Sequence, residues 1–240
     1  MQFRFATIFS LVLLVVITIS LQSSFASAQL VSFSKSSADH FGPKFKSKTV
    51  VIYPIFTQAA YGEKGFYYYY SKHCDLRCLT VLLPSKPFPI YSASGQGFLV
   101  LSSLGFDIIT DADVDKNPSI LKQYKNVIVL HNEYVTQTEF NAITSHTNVV
   151  YLYPNALYAE VKVNYGTNTV TLVKGHEYPL STISNGFDWK LDNSKYEYNT
   201  ACNNLSFYRV TNGWMLNCYP DIEISSNKGL LNLLLESIRQ

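Results

Sequence analysis

The pattern of apolar and polar positions predicts an α/β fold built on a parallel sheet. Four continuous apolar runs have the composition of buried strands: residues 49–56, 106–110, 127–130 and 149–153. Three intervening segments predict helices: residues 98–104, 117–124 and 136–146. The last of these begins with Thr136 and Glu139, which have the spacing of a capping box. Strands that alternate with short helices indicate right-handed βαβ units in three layers.

The pattern changes after residue 155, where β-hairpins are expected. Residues 161–163 and 170–173 flank Gly166, and residues 207–210 and 214–216 flank the Asn212-Gly213 turn signal. An amphipathic stretch at 229–239 predicts a closing helix. We therefore expect one α/β domain over residues 48–240, whose parallel sheet carries added C-terminal hairpins.

The amino end has the three parts of a secretory signal peptide over residues 1–28. Arg4 gives the positive start, residues 8–21 form an apolar run, and Ala26-Ser27-Ala28 is a small-x-small cleavage site. An uncleaved membrane anchor is the alternative, but the run is shorter than the roughly 20 residues that span a bilayer. We expect a secreted chain without a stable membrane span after cleavage, and a flexible lead-in over residues 29–47.

Charge and composition narrow the choice of partners. The formal net charge is +2, which gives no electrostatic reason to expect nucleic acid or an acidic membrane. The chain is rich in tyrosine, with 18 residues, and charged residues make up 15%. Such a surface suits a small molecule or a carbohydrate. The sequence does not predict an oligomeric state.

Four cysteines lie beyond the signal peptide: Cys74, Cys78, Cys202 and Cys218. An even number in an exported chain predicts two disulfides. Three pairings are possible, and the simplest is local, joining Cys74 to Cys78 and Cys202 to Cys218. A metal site that includes His73 is the alternative for the first pair.

Polar residues follow the third predicted strand, at the edge where parallel sheets bind ligands. His131, Glu133 and Tyr134 come directly after residues 127–130 and could serve as acid, base or metal ligand. In the alternative, His131 caps the strand end and Tyr134 packs beneath the next helix. His176 and Glu177 could reach the same edge or lie in a surface loop.

Three linked segments carry a family resemblance: Leu104–Asp111 (LGFDIITD), His131-Asn-Glu-Tyr134 and Val150–Tyr158 (VYLYPNALY). Over residues 91–160 the chain resembles the C-terminal domain of the N,N-dimethylformamidase large subunit and its relatives. That resemblance implies a glutamine amidotransferase-like (flavodoxin-like) fold. The chain differs from the family pattern at Asn132, where the family has proline, and at Tyr153-Pro154, where it has two glycines.

The resemblance also implies a reaction and a metal. Members of the amidase branch hold a mononuclear iron with two tyrosines and a glutamate, a hard oxygen donor set that suits a ferric Lewis acid. By motif position, Tyr134 corresponds to one tyrosine ligand. Tyr91, ahead of the helix that leads to Phe106, is the candidate for the second tyrosine, and Glu177 is the candidate for the carboxylate, with His131 or Glu133 as acid or base. We therefore expect metal-assisted hydrolysis of an amide or similar small polar substrate. The alternative is a non-catalytic extracellular binding or surface protein on the same fold.

Overall fold

The computed structural model describes residues 48–187, 189 and 194–239. The predicted signal peptide and lead-in, residues 1–47, lie outside the described residues. Within the described ranges there are ten strands, in chain order β1 (Thr49–Tyr53), β2 (Thr80–Leu82), β3 (Asp107–Thr110), β4 (Asn126–Val129), β5 (Tyr134–Val135), β6 (Val149–Tyr151), β7 (Ala159–Asn164), β8 (Thr169–Lys174), β9 (Phe207–Val210) and β10 (Gly213–Leu216). The same ranges contain six α-helices: α1 (Ile55–Ala60), α2 (Phe66–Tyr70), α3 (Gly95–Ser103), α4 (Asp111–Lys116), α5 (Gln137–Ser145) and α6 (Lys228–Arg239).

The central sheet has six strands in the order β3-β1-β4-β6-β10-β9. The first five are parallel, and β9 runs antiparallel to β10. The predicted α/β class with a parallel-dominated sheet is therefore confirmed. Counted along the chain, the parallel strands stand in the order 2-1-3-4-5, so the direction of winding reverses between β1 and β4. Loops diverge at such a reversal and leave a crevice at the carboxyl edge of the sheet.

Both faces of this sheet are covered, because alternate residues of each strand point in opposite directions. Val51 and Ile128 face the core that contains α3 and α6, whereas Val50 and Val127 face the core beside α4 and α5. All four side chains are fully buried. The molecule thus has three layers, and the strand ends are the part of the sheet that remains available to a ligand.

A second, four-stranded sheet lies in the order β2-β8-β7-β5. Within it, β7 pairs antiparallel with β8, and the short strand β5 runs parallel to β7. Strand β5 follows directly after the end of β4, so this sheet continues from the carboxyl edge of the central one. It brings the end of β8 toward the residues that follow β4.

One strand is shorter than the apolar pattern predicts. The apolar run at 49–56 predicts a single strand, but β1 ends at Tyr53 because Pro54 has no N–H to donate to a ladder. The chain turns there into α1, where Asp111 Oδ2 accepts the Phe56 N–H at 2.9 Å. Residues 67–70 form most of α2; their apolar pattern is compatible with either a strand or a helix.

Both local cysteine pairs form disulfides, Cys74–Cys78 and Cys202–Cys218, and no cysteine is left free. The predicted local pairing is confirmed. Among the described residues, no helix has the length and apolar character needed to cross a membrane.

Candidate active site at the carboxyl edge of the central sheet

Side chains that follow four of the parallel strands meet at the carboxyl edge. The segment after β1 contributes Tyr61, and the segment after β4 contributes His131 and Glu133. The segments after β6 and β10 contribute two residues each: Tyr153 and Asn155 after β6, and Tyr219 and Asp221 after β10. The His131 ring lies 5.1 Å from the Tyr219 ring and 6.2 Å from the Tyr61 ring, measured between centroids. The site thus occupies the crevice that the reversal between β1 and β4 creates.

Glu133 is the centre of this group. Its side chain is 0% exposed, and its backbone carbonyl accepts the N–H groups of Tyr158 and Ala159 at 2.9 Å each. These two bonds join the end of β4 to the start of β7 and fix the position of the carboxylate. A buried carboxylate is unfavourable unless charged or polar partners surround it.

Two histidines face the two oxygens of Glu133. His176 Nε2 lies 2.6 Å from Glu133 Oε1, an ion-pair distance without ideal hydrogen-bond geometry, and His131 Nε2 lies 3.7 Å from Oε2. Burial by itself raises the pKa of Glu133, but the His176 and His131 imidazoles outweigh burial, so the pKa lies below its ordinary value. Glu133 is therefore a buried carboxylate that stays ionised.

His131 is oriented through its Nδ1 atom. This atom lies 2.7 Å from the carbonyl oxygen of Ser92, which can only accept, so Nδ1 carries a proton. Burial lowers the pKa of His131, although Glu133 beside it acts in the opposite direction. The His131 Nε2 faces the Oε2 of Glu133, and neither atom has a hydrogen-bond partner among the described residues.

Tyrosine hydroxyls also approach Glu133. Tyr67, on α2, donates to the Tyr61 hydroxyl at 2.6 Å and lies 3.4 Å from Glu133 Oε1. The Tyr134 hydroxyl lies 3.4 Å from that of Tyr67. Burial, together with the Glu133 charge, raises the pKa of all three phenols. The structure therefore brings together two phenols and a carboxylate, with a third phenol behind them.

Two open pockets border residues of this group, and the Cys74–Cys78 loop contributes to the lining of both. Tyr61 lines one of about 740 Å³, and Tyr70 and His176 line another of about 630 Å³. The His176 side chain is 23% exposed. It therefore connects solvent to the buried carboxylate, and the Tyr70 and Tyr158 rings pack around it with centroid distances of 5.8 and 4.7 Å.

Glu197 is a second carboxyl group near the site. The Asn155 amide donates to Glu197 Oε1 at 3.2 Å. Burial, with the nearby charge of Glu133, raises the pKa of Glu197 to about 7. The two glutamates thus have opposite protonation preferences, which is the arrangement expected of a base and an acid.

Sequence reasoning placed His131, Glu133 and Tyr134 at this edge, and the structure brings these three together. Tyr91 and Glu177 lie elsewhere. Tyr91 is 49% exposed and packs its ring on Tyr219, whose hydroxyl donates to the Tyr91 carbonyl. Glu177 is exposed, in a loop held by its backbone N–H to Ile183. In the described part of the chain, neither side chain contacts Glu133 or Tyr134.

Tyr61, Tyr67 and Glu197 were not found from sequence. Tyr67 belongs to a run of four tyrosines, and no local signal distinguishes the one that points at Glu133. Glu197 comes from a segment 64 positions beyond Glu133. Their positions beside Glu133 depend on tertiary contacts, and the spacing of apolar residues along the sequence does not predict such contacts.

The donor set that the resemblance implies is available, although from other residues. Two phenols and one carboxylate converge at Tyr61, Tyr67 and Glu133, and the partnerless Oε2 of Glu133 leaves a buried anionic oxygen for a cation. No group of three or more His, Cys, Asp or Glu side chains within the described ranges is arranged to hold a metal. An iron at this place would therefore depend on phenolate ligands.

Tyr153 fills the position where the resembled family has glycine. It is fully buried and donates to Asp221 Oδ1 at 2.6 Å, while Asp221 also accepts the Gln96 and Gly97 N–H groups of α3. A side chain at Gly97 would collide with the Tyr153 hydroxyl. Asp221 and Tyr153 thus occupy the space at the first turn of α3.

No protein-family model matches this chain, and no curated protein matches it.

Proposed function

We propose that this chain is an exported metal-dependent hydrolase that acts on an amide or similar small polar substrate. The observation that carries the proposal is the convergence of the Tyr61 and Tyr67 hydroxyls on the ionised, fully buried carboxylate of Glu133. Ionised groups are rarely buried for stability alone, and perturbed groups in a crevice are typical of functional sites. In this proposal Tyr61, Tyr67 and Glu133 hold a ferric ion.

The fold supports the same proposal. The parallel order 2-1-3-4-5 is that of flavodoxin-like sheets, which bind ligands at the reversal between the first and third strands. A glutamine amidotransferase-like domain has this architecture, in agreement with the motif resemblance. The two disulfides favour an oxidising compartment and hence export.

In the proposed hydrolysis, His176 and Glu197 carry out the proton transfers. A bound ferric ion supplies Lewis acidity that polarises a carbonyl and lowers the pKa of water. His176 reaches both solvent and Glu133, so it can take a proton at Nε2 and share it with the carboxylate. Glu197, with its pKa raised to about 7, is partly protonated near neutral pH and can donate a proton to a leaving amine. His131 is a positioning residue, because the Ser92 carbonyl fixes its ring beside Glu133.

A second function is favoured by Tyr153. Its buried ring and its bond to Asp221 occupy the turn that is glycine-rich in the resembled family. A chain that keeps the fold but closes this space could bind a ligand without transforming it. Exposed tyrosines such as Tyr68 and Tyr198 would suit a carbohydrate or protein partner.

The metal proposal is tested on the purified, tag-free secreted protein. We expect about one iron per chain and a phenolate-to-iron absorption band in the visible. Tyr67→Phe should remove or strongly weaken that band while the thermal midpoint changes little, because only a hydroxyl is lost. Tyr91→Phe is the matched control and should leave the band intact. Loss of the band in Tyr91→Phe alone would refute our ligand assignment.

Hydrolysis separates the two functions. If the iron-loaded protein cleaves small amides and Glu133→Gln abolishes turnover, the hydrolase is supported. If iron is bound but formamide-type and larger amides all remain intact, the binding protein is the correct alternative. Failure to find any metal would overturn the proposed site itself.

A further inference from the structure

We propose that Asn204 is a site of N-linked glycosylation, a modification that is separate from the chemistry at Glu133. The segment Asn204-Leu205-Ser206 has the acceptor pattern Asn-x-Ser. Every other asparagine in the sequence lacks the pattern, except Asn117, where Pro118 in the middle position excludes it. The chain therefore offers a single acceptor.

The structure presents this acceptor to solvent. Asn204 and Ser206 are both exposed, and Asn204 has a φ of 59°, in the left-handed region that asparagine tolerates in turns. A glycan needs an amide that projects from a surface turn, and Asn204 lies in one. By contrast, Asn126, Asn132 and Asn155 are buried.

The turn is held without using the acceptor groups. The Asn217 side chain bonds the backbone of the turn: its Nδ2 donates to the Asn204 carbonyl at 2.8 Å, and its Oδ1 accepts the Ser206 N–H at 2.9 Å. The Asn217 N–H also donates to the Ser206 carbonyl at 3.1 Å. Within the described residues, neither the Asn204 side-chain amide nor the Ser206 hydroxyl has a hydrogen-bond partner. Attachment of a glycan at Asn204 Nδ2 would therefore break no bond of the fold.

A covalent anchor keeps the turn in place. Cys202 lies two residues before Asn204 and is joined to Cys218, next to Asn217. The acceptor turn is thus fixed to the end of β10, and a bulky group attached there projects outward without loosening the segment. Disulfides form in the oxidising compartments through which exported proteins pass, and N-linked glycans are found on secreted proteins, so both features of this turn agree with export.

The donor in this proposal is a lipid-diphosphate-linked oligosaccharide. A bond forms between Asn204 Nδ2 and the anomeric carbon of the first sugar. The bond from that carbon to the diphosphate oxygen breaks, and the lipid diphosphate leaves with the electron pair. The amide loses one proton to a base of the transferase, so no oxidant or reductant is required.

The test uses the full chain, purified from the extracytoplasmic fraction of the cells that naturally produce it. After reduction, alkylation and trypsin digestion, residues 196–209 form one peptide between Lys195 and Arg209. We expect this peptide to carry added sugar masses, with fragment ions that place them on Asn204. Finding it unmodified would overturn the proposal.

Matched variants in the same cells locate the site. Asn204→Gln and Ser206→Ala should each remove the added mass, whereas Asn203→Gln and Ser206→Thr should retain it. Asn203 is exposed and adjacent, so its substitution controls for disturbance of the turn. If a variant is not exported, the Ser206→Ala and Ser206→Thr pair still decides the outcome. Retention of the glycan in Ser206→Ala would contradict the assignment.

Discussion

Two buried glutamates show how strongly surroundings control a carboxyl group at the scale of single residues. Glu133 has imidazoles at both oxygens, and its pKa lies below the ordinary value. Glu139 is equally buried, but its neighbours are Asp111 and Asp115. Burial is the main cause, and the charges of these two aspartates add to it, so the pKa of Glu139 lies well above its ordinary value. The first carboxyl is kept charged for the site, and the second is kept protonated within the core.

We predict that Glu139→Gln stabilises the protein at alkaline pH. A carboxyl whose folded-state pKa is raised contributes stability that is complete below its unfolded pKa, near 4.5, and lost as pH rises through the folded value. Glutamine cannot ionise, and the substitution leaves the bond from the backbone N–H of residue 139 to Thr136 Oγ1 in place. The thermal midpoint of the variant should exceed that of the wild type at pH 8, with little difference at pH 4.

Glu133→Gln is the control for this comparison. It removes a carboxylate whose pKa is lowered, so it should destabilise the protein at pH 8 instead of stabilising it. Scanning calorimetry of both variants at the two pH values gives the answer. Equal shifts of the two midpoints in the same direction would show that burial alone governs these groups.

At the scale of elements, local signals predict best where a side chain acts on its own backbone. Thr136 Oγ1 accepts the Glu139 N–H at 3.1 Å and starts α5 one residue later, so one of the two bonds of the predicted capping box forms. Pro54 ended β1 earlier than the apolar run suggested, because a missing N–H outweighs apolar continuity. Tyr67 and His176 reach Glu133 from distant segments, so no local pattern identified their partners.

The two disulfides should differ in their contribution to stability. The Cys202–Cys218 pair has a sequence separation of 16 and the Cys74–Cys78 pair a separation of 4. By chain entropy, loops of these lengths stabilise the fold by about 3 and about 2 kcal/mol. We predict that Cys202→Ser/Cys218→Ser lowers the free energy of unfolding more than Cys74→Ser/Cys78→Ser. Urea denaturation measures both, and the reverse order would contradict the entropic account.

For the whole molecule, export is the property on which the other proposals depend. The small residues Ala26 and Ala28 predict cleavage just after Ala28, so the secreted chain should start at or near Gln29. Amino-terminal sequencing of the secreted protein measures this directly. Recovery of only the full-length chain, in the membrane fraction, would show that the apolar run serves as an anchor.

The two disulfides also determine when the site can exist. Cys74–Cys78 closes the loop directly after α2, which carries Tyr67, and Cys202–Cys218 joins the segment of Glu197 to the strand end that leads to Tyr219. These two covalent tethers, one beside Tyr67 and one beside Glu197, form only on oxidation. A newly synthesised chain in a reducing cytosol lacks both tethers, so we expect it to be latent there. Maturation of the centre would then coincide with arrival outside the cell, and the cytosol would be spared a hydrolase for small amides.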